Sequence, residues 1–506
     1  MKILVISNLF PPNVLGGYEV GCASIVSELA ARGHHVTVLT SQSRHDFPIV
    51  SDSGIKTCLR LWNIYEYGIC GLAVPEITQL HASAIDPINI SSILRELSTQ
   101  QYDVVYCFNL LGLGAMAICD TMTGLDIPWV WHIMDSIPSQ MMSSMRFEVA
   151  ALFQSASRRS VSPSKTFVMS KRLLSEIESS GVSIGGDVSI IPGWADDLSK
   201  SPRHTKTADG RRRFVAIGVL SLEKGTDLLL QTVSELPDEI KNSVFIEFFG
   251  RGDIHRYQAE ARRLNIADCV RFHGQRPHRE ILEALPGFRA LLFPTWTREP
   301  FGFVALEAAI GGVLPVFTKG IGASEILQDR VHALHIDRSI KSLKAAIVWV
   351  VENDEAASAI GLTAQTLVRQ KYTLGHMTDR IEEHLKSIAT GASISPATAE
   401  RFNNQARFKY SLACRLFPDK AVIETGQERP SINISDAYAA LKVTGRRASR
   451  NFLIKWMRSG LLKLLRPYLF EILTLQHSSR ADIDALRRTM ESGASKQKST
   501  VDDHLR

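Results

Sequence analysis

No apolar stretch in this 506-residue chain approaches the roughly 20 residues that would span a bilayer, so a chain without a membrane-crossing helix is expected. The opening MKILVISNLFPP has a basic residue and an apolar run, but the run is too short for a signal peptide and stops at Pro11 and Pro12. It reads as a first strand, and the expected location is the cytoplasm. Cysteine is sparse: seven residues, scattered, odd in number and without a CxxC spacing. That argues against a disulfide framework or a structural zinc site. No DxD-like pair or His/Cys cluster lies where it would hold a metal, so metal-independent chemistry with no bound cofactor is expected. No internal repeat is evident, and no nucleic-acid-binding motif accompanies the net charge of +6, so nucleic acid is not an expected partner.

What is present is an ordinary globular composition, 45% apolar and 22% charged, in a chain too long for one core. Continuous apolar runs (KILVIS, HVTVLT, DVVYCF, IPWVWHI) alternate with helical patterns, the signature of βαβ units with strands buried on both faces. A polar stretch, DDLSKSPRHTKTADGRRR, interrupts this pattern. FVAIGVL then restarts it, followed by VFIEFFG, VRFHG, ALLFPT and LPVFT. The expected fold is α/β, two Rossmann-like domains facing across a cleft with a mainly helical C-terminal extension. The expected boundaries are 1–195, a linker at 196–212, a second domain at 213–373, a crossover helix at 374–390 and a basic extension at 391–506. The linker and the crossover helix are hinge candidates. The extension carries 20 Lys/Arg against 11 Asp/Glu. Residues 442–466 hold eight basic residues and no acidic one among Phe452, Trp456 and several leucines. Such a segment suits an anionic membrane surface, and equally a helix packed on the catalytic domains with solvated charges.

In open α/β sheets ligands bind at the carboxyl ends of strands. The most informative segment there is TREPFGFVALEAAIGG, in which Pro300 and Gly302 punctuate the loop between Glu299 and Glu307. A helix starting near Phe301 to Phe303 would aim its free amides at a diphosphate. Glu299 would precede the helix and Glu307 would sit about a turn inside it. One carboxylate can take sugar hydroxyls and the other ribose hydroxyls. Gly16 and Gly17 can form a turn facing phosphate, and Lys224, before Gly225, is a candidate phosphate ligand. Asp135 and Lys165 are candidate acceptor contacts. His34 and His35 read as a turn before a strand, without a role.

On these residues the chain resembles glycosyltransferase family 4, of the GT-B fold, in which an ExFGxxxxE element binds the nucleotide sugar. PPNVLGGYE, with Gly16 and Gly17, is similar to the family's glycine loop beside the β-phosphate. GVLSLEKG, with Lys224, is similar to its diphosphate-binding segment, and His132 in WVWHIMD to its acceptor-side histidine near the donor sugar. GIGASEIL, with Glu325, is similar to the GGxxE turn that follows the helix. The resemblance covers about residues 1–390. It implies a retaining transferase that moves a hexose from a nucleoside diphosphate sugar to an acceptor hydroxyl by front-face attack. A glycan or lipid-linked acceptor in bacterial cell-surface polysaccharide synthesis is expected because the basic tail could hold the enzyme at a membrane. Glu299, His132 and Lys224 would serve catalysis. Gly16, Gly17, Phe301, Gly302, Phe303 and Glu307 would hold the donor. One departure is Val219, where the family usually has an arginine. Arg251 and Arg298 are candidates for the missing cation. The rival readings are a catalytically silent nucleotide- or glycan-binding protein, a sugar-nucleotide epimerase and a membrane-associated scaffold.

Overall fold

The computed structural model describes residues 1–14, 16–41, 54–62, 80–143, 145–196, 206–391 and 393–416. Fifteen strands occur among them. In the first half these are β1 (Lys2–Ile6), β2 (His35–Ser41), β3 (Ile55–Leu59), β4 (Val104–Cys107), β5 (Trp129–Ile133), β6 (Ser160–Val161), β7 (Lys165–Val168), β8 (Ser183–Ile184) and β9 (Asp187–Ile190). In the second they are β10 (Arg212–Ile217), β11 (Val244–Phe249), β12 (Val270–Gly274), β13 (Ala290–Phe293), β14 (Leu314–Thr318) and β15 (Leu334–Ile336). The first sheet has the order β3-β2-β1-β4-β5-β7-β9 and the second β12-β11-β10-β13-β14-β15, and β6 pairs separately with β8. All the strand pairs are parallel. Helices cover both faces, which is why strands such as WVWHI and LPVFT are buried along their whole length.

In each sheet the strand order reverses once, between β1 and β4 and between β10 and β13. Crevices at the carboxyl ends of strands open at such switch points. That rule puts the Gly16–Gly17 loop, after β1, and the Gly218–Gly225 and Pro294–Gly302 loops, after β10 and β13, at the ligand-binding edges.

The halves meet in a continuous apolar cluster running from the first core into Phe301, Ala305 and Leu306 of the second half. A separate cluster fills the far side of the second sheet. Polar contacts reinforce the junction. Ser170 Oγ donates to Pro300 O at 2.9 Å, and Glu325 accepts from the Lys171 and Arg172 amides at 3.0 and 2.8 Å, at the start of the Lys171–Ser179 helix.

The chain then returns to the first half. Ala195 N donates to Tyr372 O at 3.0 Å, and the Leu374–Ile388 helix lies along the Gly17–Ala31 helix. Arg32 reaches Asp379, Glu382 and the Gly375 carbonyl, and His34 Nε2 lies 3.0 Å from Glu382. His34, read from the sequence as a plain turn residue, is therefore part of this return contact.

The Pro396–Leu416 helix, placed by the sequence in the basic extension, packs on the first half against the Pro87–Thr99 helix. Phe402 lies against Gly124, Tyr410 OH is 2.9 Å from His81 Nε2, and Ala413 is fully buried. Most of the expected linker, and the whole of the basic segment 442–466, lie outside the described residues. Among the described residues no helix is long and apolar enough to cross a membrane.

Candidate active site

The Phe303–Ile310 helix begins where the sequence places it. Its N-cap is Gly302, at φ 93°, a left-handed conformation that suits glycine. Because the cap has no side chain, no capping side chain covers the Phe303 and Val304 amides, while the Ala305 amide donates to the Gly302 carbonyl at 3.0 Å. Phe301 is buried: its ring occupies a slot in which a β-carbon on Gly193 would come within 2.4 Å of it. Phe303 turns toward the first half. Its ring lies edge-on to Trp194 at 5.3 Å and 3.8 Å from where a Gly17 β-carbon would stand. Gly17, Phe303 and the helix terminus thus converge across the cleft. Gly16 caps the Gly17–Ala31 helix, and its amide donates to Glu19 at 2.8 Å.

Two acid–base pairs line the second half's edge. Lys224 Nζ is 2.5 Å from Glu299 Oε2, which also accepts from the Thr295 hydroxyl at 3.1 Å. Glu307, on the helix and 8% exposed, meets His278 Nε2 at 2.8 Å. The hydrogen bond to Glu307 raises the His278 pKa, against the opposing effect of burial. His278 was missed in the sequence. It opens the His278–Ala284 helix beyond β12, so the strand-end rule alone would have flagged it. Asp196 lies close enough to feel both partners, and its carboxyl is raised chiefly by burial.

The cation expected to replace the arginine absent at Val219 is placed unevenly. Leu220 N donates to Arg251 O at 2.8 Å, which sets Arg251 against the Val219 loop. Arg298 instead faces Glu176 of the first half at 3.0 Å.

On that first half, His132 is 0% exposed, inside β5 among Tyr106, Phe108, Phe167 and Trp194. Burial lowers its pKa to about 3, so the ring is neutral. Nδ1 meets Tyr106 OH at 2.8 Å, while Nε2 has no partner among the described residues. Its carbonyl accepts from the Tyr18 hydroxyl, which also accepts from Met134 N. The histidine therefore stands in the wall behind the cleft. Lys165 is likewise 4% exposed and paired with Asp187, which accounts for its charge without an acceptor. Asp135, three residues past His132 and beyond the strand end, does reach the cleft. Its carboxyl is raised chiefly by burial, with smaller contributions from Glu299 across the gap and from Glu176 of its own half.

Between the halves lies a cavity of about 580 Å³ lined by Arg159, Arg172 and Arg298, with Glu176, six serines and Gln140. Among the described residues no group of His, Cys, Asp and Glu is arranged to hold a metal ion.

Comparison with known proteins agrees with this architecture. A family model described as glycosyltransferase family 4 matches residues 15–196, and one described as glycosyl transferases group 1 matches residues 199–366. The chain is 23% identical over 437 residues to the glycogen synthase of Mycobacterium tuberculosis, covering 83% of this chain and all of the relative. Among solved structures it is similar to sucrose-phosphate synthase from Thermosynechococcus elongatus (TM-score 0.61, 16% identity, 76% of this chain and 98% of that one). It is also similar to Anabaena HepE in complex with UDP and glucose (TM-score 0.57, 17% identity, 76% and 100%). Two Rossmann-like sheets, a glutamate-bearing helix at the second switch point and matches over both halves lead to one assignment: the chain is a glycosyltransferase enzyme, a group 1 member of family 4 with the GT-B fold.

Proposed function

We propose that the protein transfers a hexose from a nucleoside diphosphate sugar to a glycan or lipid-linked acceptor with retention of anomeric configuration, without a metal. The observation that carries this reading is the Lys224–Glu299 pair beside the open amides of the Phe303–Ile310 helix. An entering diphosphate competes for the Lys224 ammonium and for the amides, which releases Glu299 to accept hydrogen bonds from the sugar hydroxyls. Glu307 exchanges His278 for the ribose hydroxyls in the same way. Arg251, whose carbonyl accepts from Leu220 N, would add the second cation beside Val219, and the Gly16–Gly17 loop would close over the phosphates from the facing half.

In the transfer step the acceptor oxygen attacks C1 on the face from which the diphosphate departs. The C1–O bond to phosphate breaks, and the acceptor proton passes to the departing phosphate oxygen. The protein's task is to stabilise the negative charge that grows on that oxygen and the positive charge that grows on the sugar. His132 acts behind this site as a positioning residue. Its carbonyl and ring fix Tyr18 and Tyr106, and through Tyr18 the first turn of the Gly17–Ala31 helix.

HepE with UDP and glucose supports a sugar nucleotide as donor, and a glycogen synthase relative supports a glycan product. The setting we favour is bacterial cell-surface polysaccharide synthesis at the cytoplasmic face of the membrane, because the basic segment 442–466 suits an anionic surface. Incubation with a panel of nucleotide sugars and oligosaccharide acceptors in chelator, followed by proton NMR of the anomeric signal, tests the reading. Retention with undiminished turnover is expected. Inversion, or loss of turnover in chelator, would contradict it.

A further inference from the structure

The cavity between the halves is not needed for the donor, and its chemistry is specific. Its walls come from the Ile137–Ser143 and Lys171–Ser179 helices, from Arg159 at the end of a short turn, and from Arg298 of the second half. The lining holds three guanidinium groups and one carboxylate. Arg172 and Arg298 bind opposite oxygens of Glu176, at 2.8 and 3.0 Å. Arg159 donates instead to the Gly181 and Ser180 carbonyls, at 3.1 and 2.8 Å, and has no carboxylate partner among the described residues. The lining therefore carries an excess of two positive charges. Arg172 Nη1, although buried, has no hydrogen-bond partner among the described residues, so donor capacity is left unmet at this wall. Serine hydroxyls and Gln140 supply further neutral donors, which suits an oxygen-rich guest.

The volume lies within the roughly 300–1,000 Å³ of small-molecule sites. The position is also informative. Ser136, which follows Asp135, and Arg298, which precedes Glu299, both line the cavity, so it borders the reacting centre. Planar guanidinium forks fit phosphate oxygens in pairs, whereas a neutral sugar offers no counter-charge to the excess.

We propose that this cavity is the acceptor site and that it recognises a phosphate-bearing sugar through Arg159 and Arg172. The assignment as an acceptor site rests on the transferase reading above; the phosphate selectivity of the cavity does not. The experiment is therefore calorimetric binding of glucose 6-phosphate, glucuronic acid and glucose, with and without a nucleoside diphosphate present. It uses the full chain and its Arg159→Gln and Arg172→Gln variants, each checked for an unchanged melting temperature. The sugar phosphate should bind about tenfold or more tightly than glucose, and each variant should remove about tenfold of that preference while nucleotide binding stays unchanged. Arg159→Lys should recover part of the preference for the phosphate over glucose, because it restores the charge; a loss confined to packing would weaken both sugars alike. Equal binding of glucose and its phosphate, equal binding of the uronic acid and the phosphate, or a preference that survives both variants would each overturn the assignment. A wild-type protein that binds the sugar phosphate selectively but no nucleotide would uphold the cavity's chemistry and sink the donor site instead.

Discussion

His132 and His278 show how differently the two halves use one residue type. His278 stands at the edge of the second sheet, and its hydrogen bond to Glu307 raises its pKa. His132 lies inside the first sheet, where burial alone lowers its pKa to about 3. The same contrast holds for lysine: Lys224 is partly exposed and pairs with a carboxylate at a switch point, while Lys165 is buried on β7 beside Asp187. In the second half the Lys224–Glu299 and His278–Glu307 pairs stand beyond strand ends, where a ligand can exchange them. The first half locks its central charges into the framework and offers the cleft only groups beyond its strands, namely the Gly16–Gly17 loop, Asp135 and the arginine-lined cavity.

The sharpest way to test that contrast is to remove one charge from each half. Lys224→Ala or Glu299→Ala should lower turnover by about 10²–10³-fold with little change in melting temperature. Lys165→Met should do the reverse, altering stability much more than turnover. Steady-state kinetics and thermal unfolding of the three variants decide it, and a similar loss of turnover in Lys165→Met would erase the distinction.

A second test acts on the contact between the halves. A β-carbon at Gly193 would stand 2.4 Å from the Phe301 ring, so Gly193→Ala should displace Phe301 and the helix it precedes. Overpacking of this kind costs about 1–3 kcal/mol, which should appear both in denaturant unfolding and as weaker nucleotide binding.

The histidines give opposite pH dependences. As pH falls below about 6.5 the unfolded chain binds a proton that buried His132 refuses, so stability declines by up to about 1.4 kcal/mol per pH unit until pH nears 3. His278 holds its proton more tightly when folded. Its contribution is complete below about 6.5 and is lost as pH rises through the higher folded value. Stability measured from pH 4 to 9 should lose part of its acid-side decline in His132→Gln and part of its alkaline-side decline in His278→Gln. The second effect is the smaller, because His278 is half exposed. Smaller still is Arg32→Ala, which loosens the returning Leu374–Ile388 helix through solvent-accessible pairs and should cost about 1 kcal/mol.

Much of this arrangement was legible in the residues, for a physical reason. Where a strand hands over to a helix, the chain needs glycine and proline at fixed places, so EPFG and the glycines near Lys224 mark strand ends without knowledge of any partner. Side chains within a strand carry no such mark. β5 is covered on both faces, so His132 in WVWHI enters the core whichever way it points, whereas Asp135, past the strand end, reaches the cleft. Arg298 next to Glu299 reads as a donor contact until the fold brings Glu176 to it from the other half. The extension reads as mainly helical, but the packing of the Pro396–Leu416 helix on the first half is obscured, because the net charge of the tail outweighs the packing stripe of Phe402, Ala406, Tyr410 and Ala413. That stripe has the three-to-four-residue spacing of a buried helix face.

The central claim is that the second half's strand-end carboxylates form a nucleotide-sugar site, and calorimetric binding of a small panel of nucleoside diphosphates and their sugars, in chelator, to wild type and Glu307→Ala tests it most directly. The account predicts that one nucleotide binds the wild type and that Glu307→Ala weakens it at least about tenfold, the loss expected when a charged hydrogen-bonding partner of the ribose is removed. Binding of no nucleotide, or equal binding to both proteins, would contradict it.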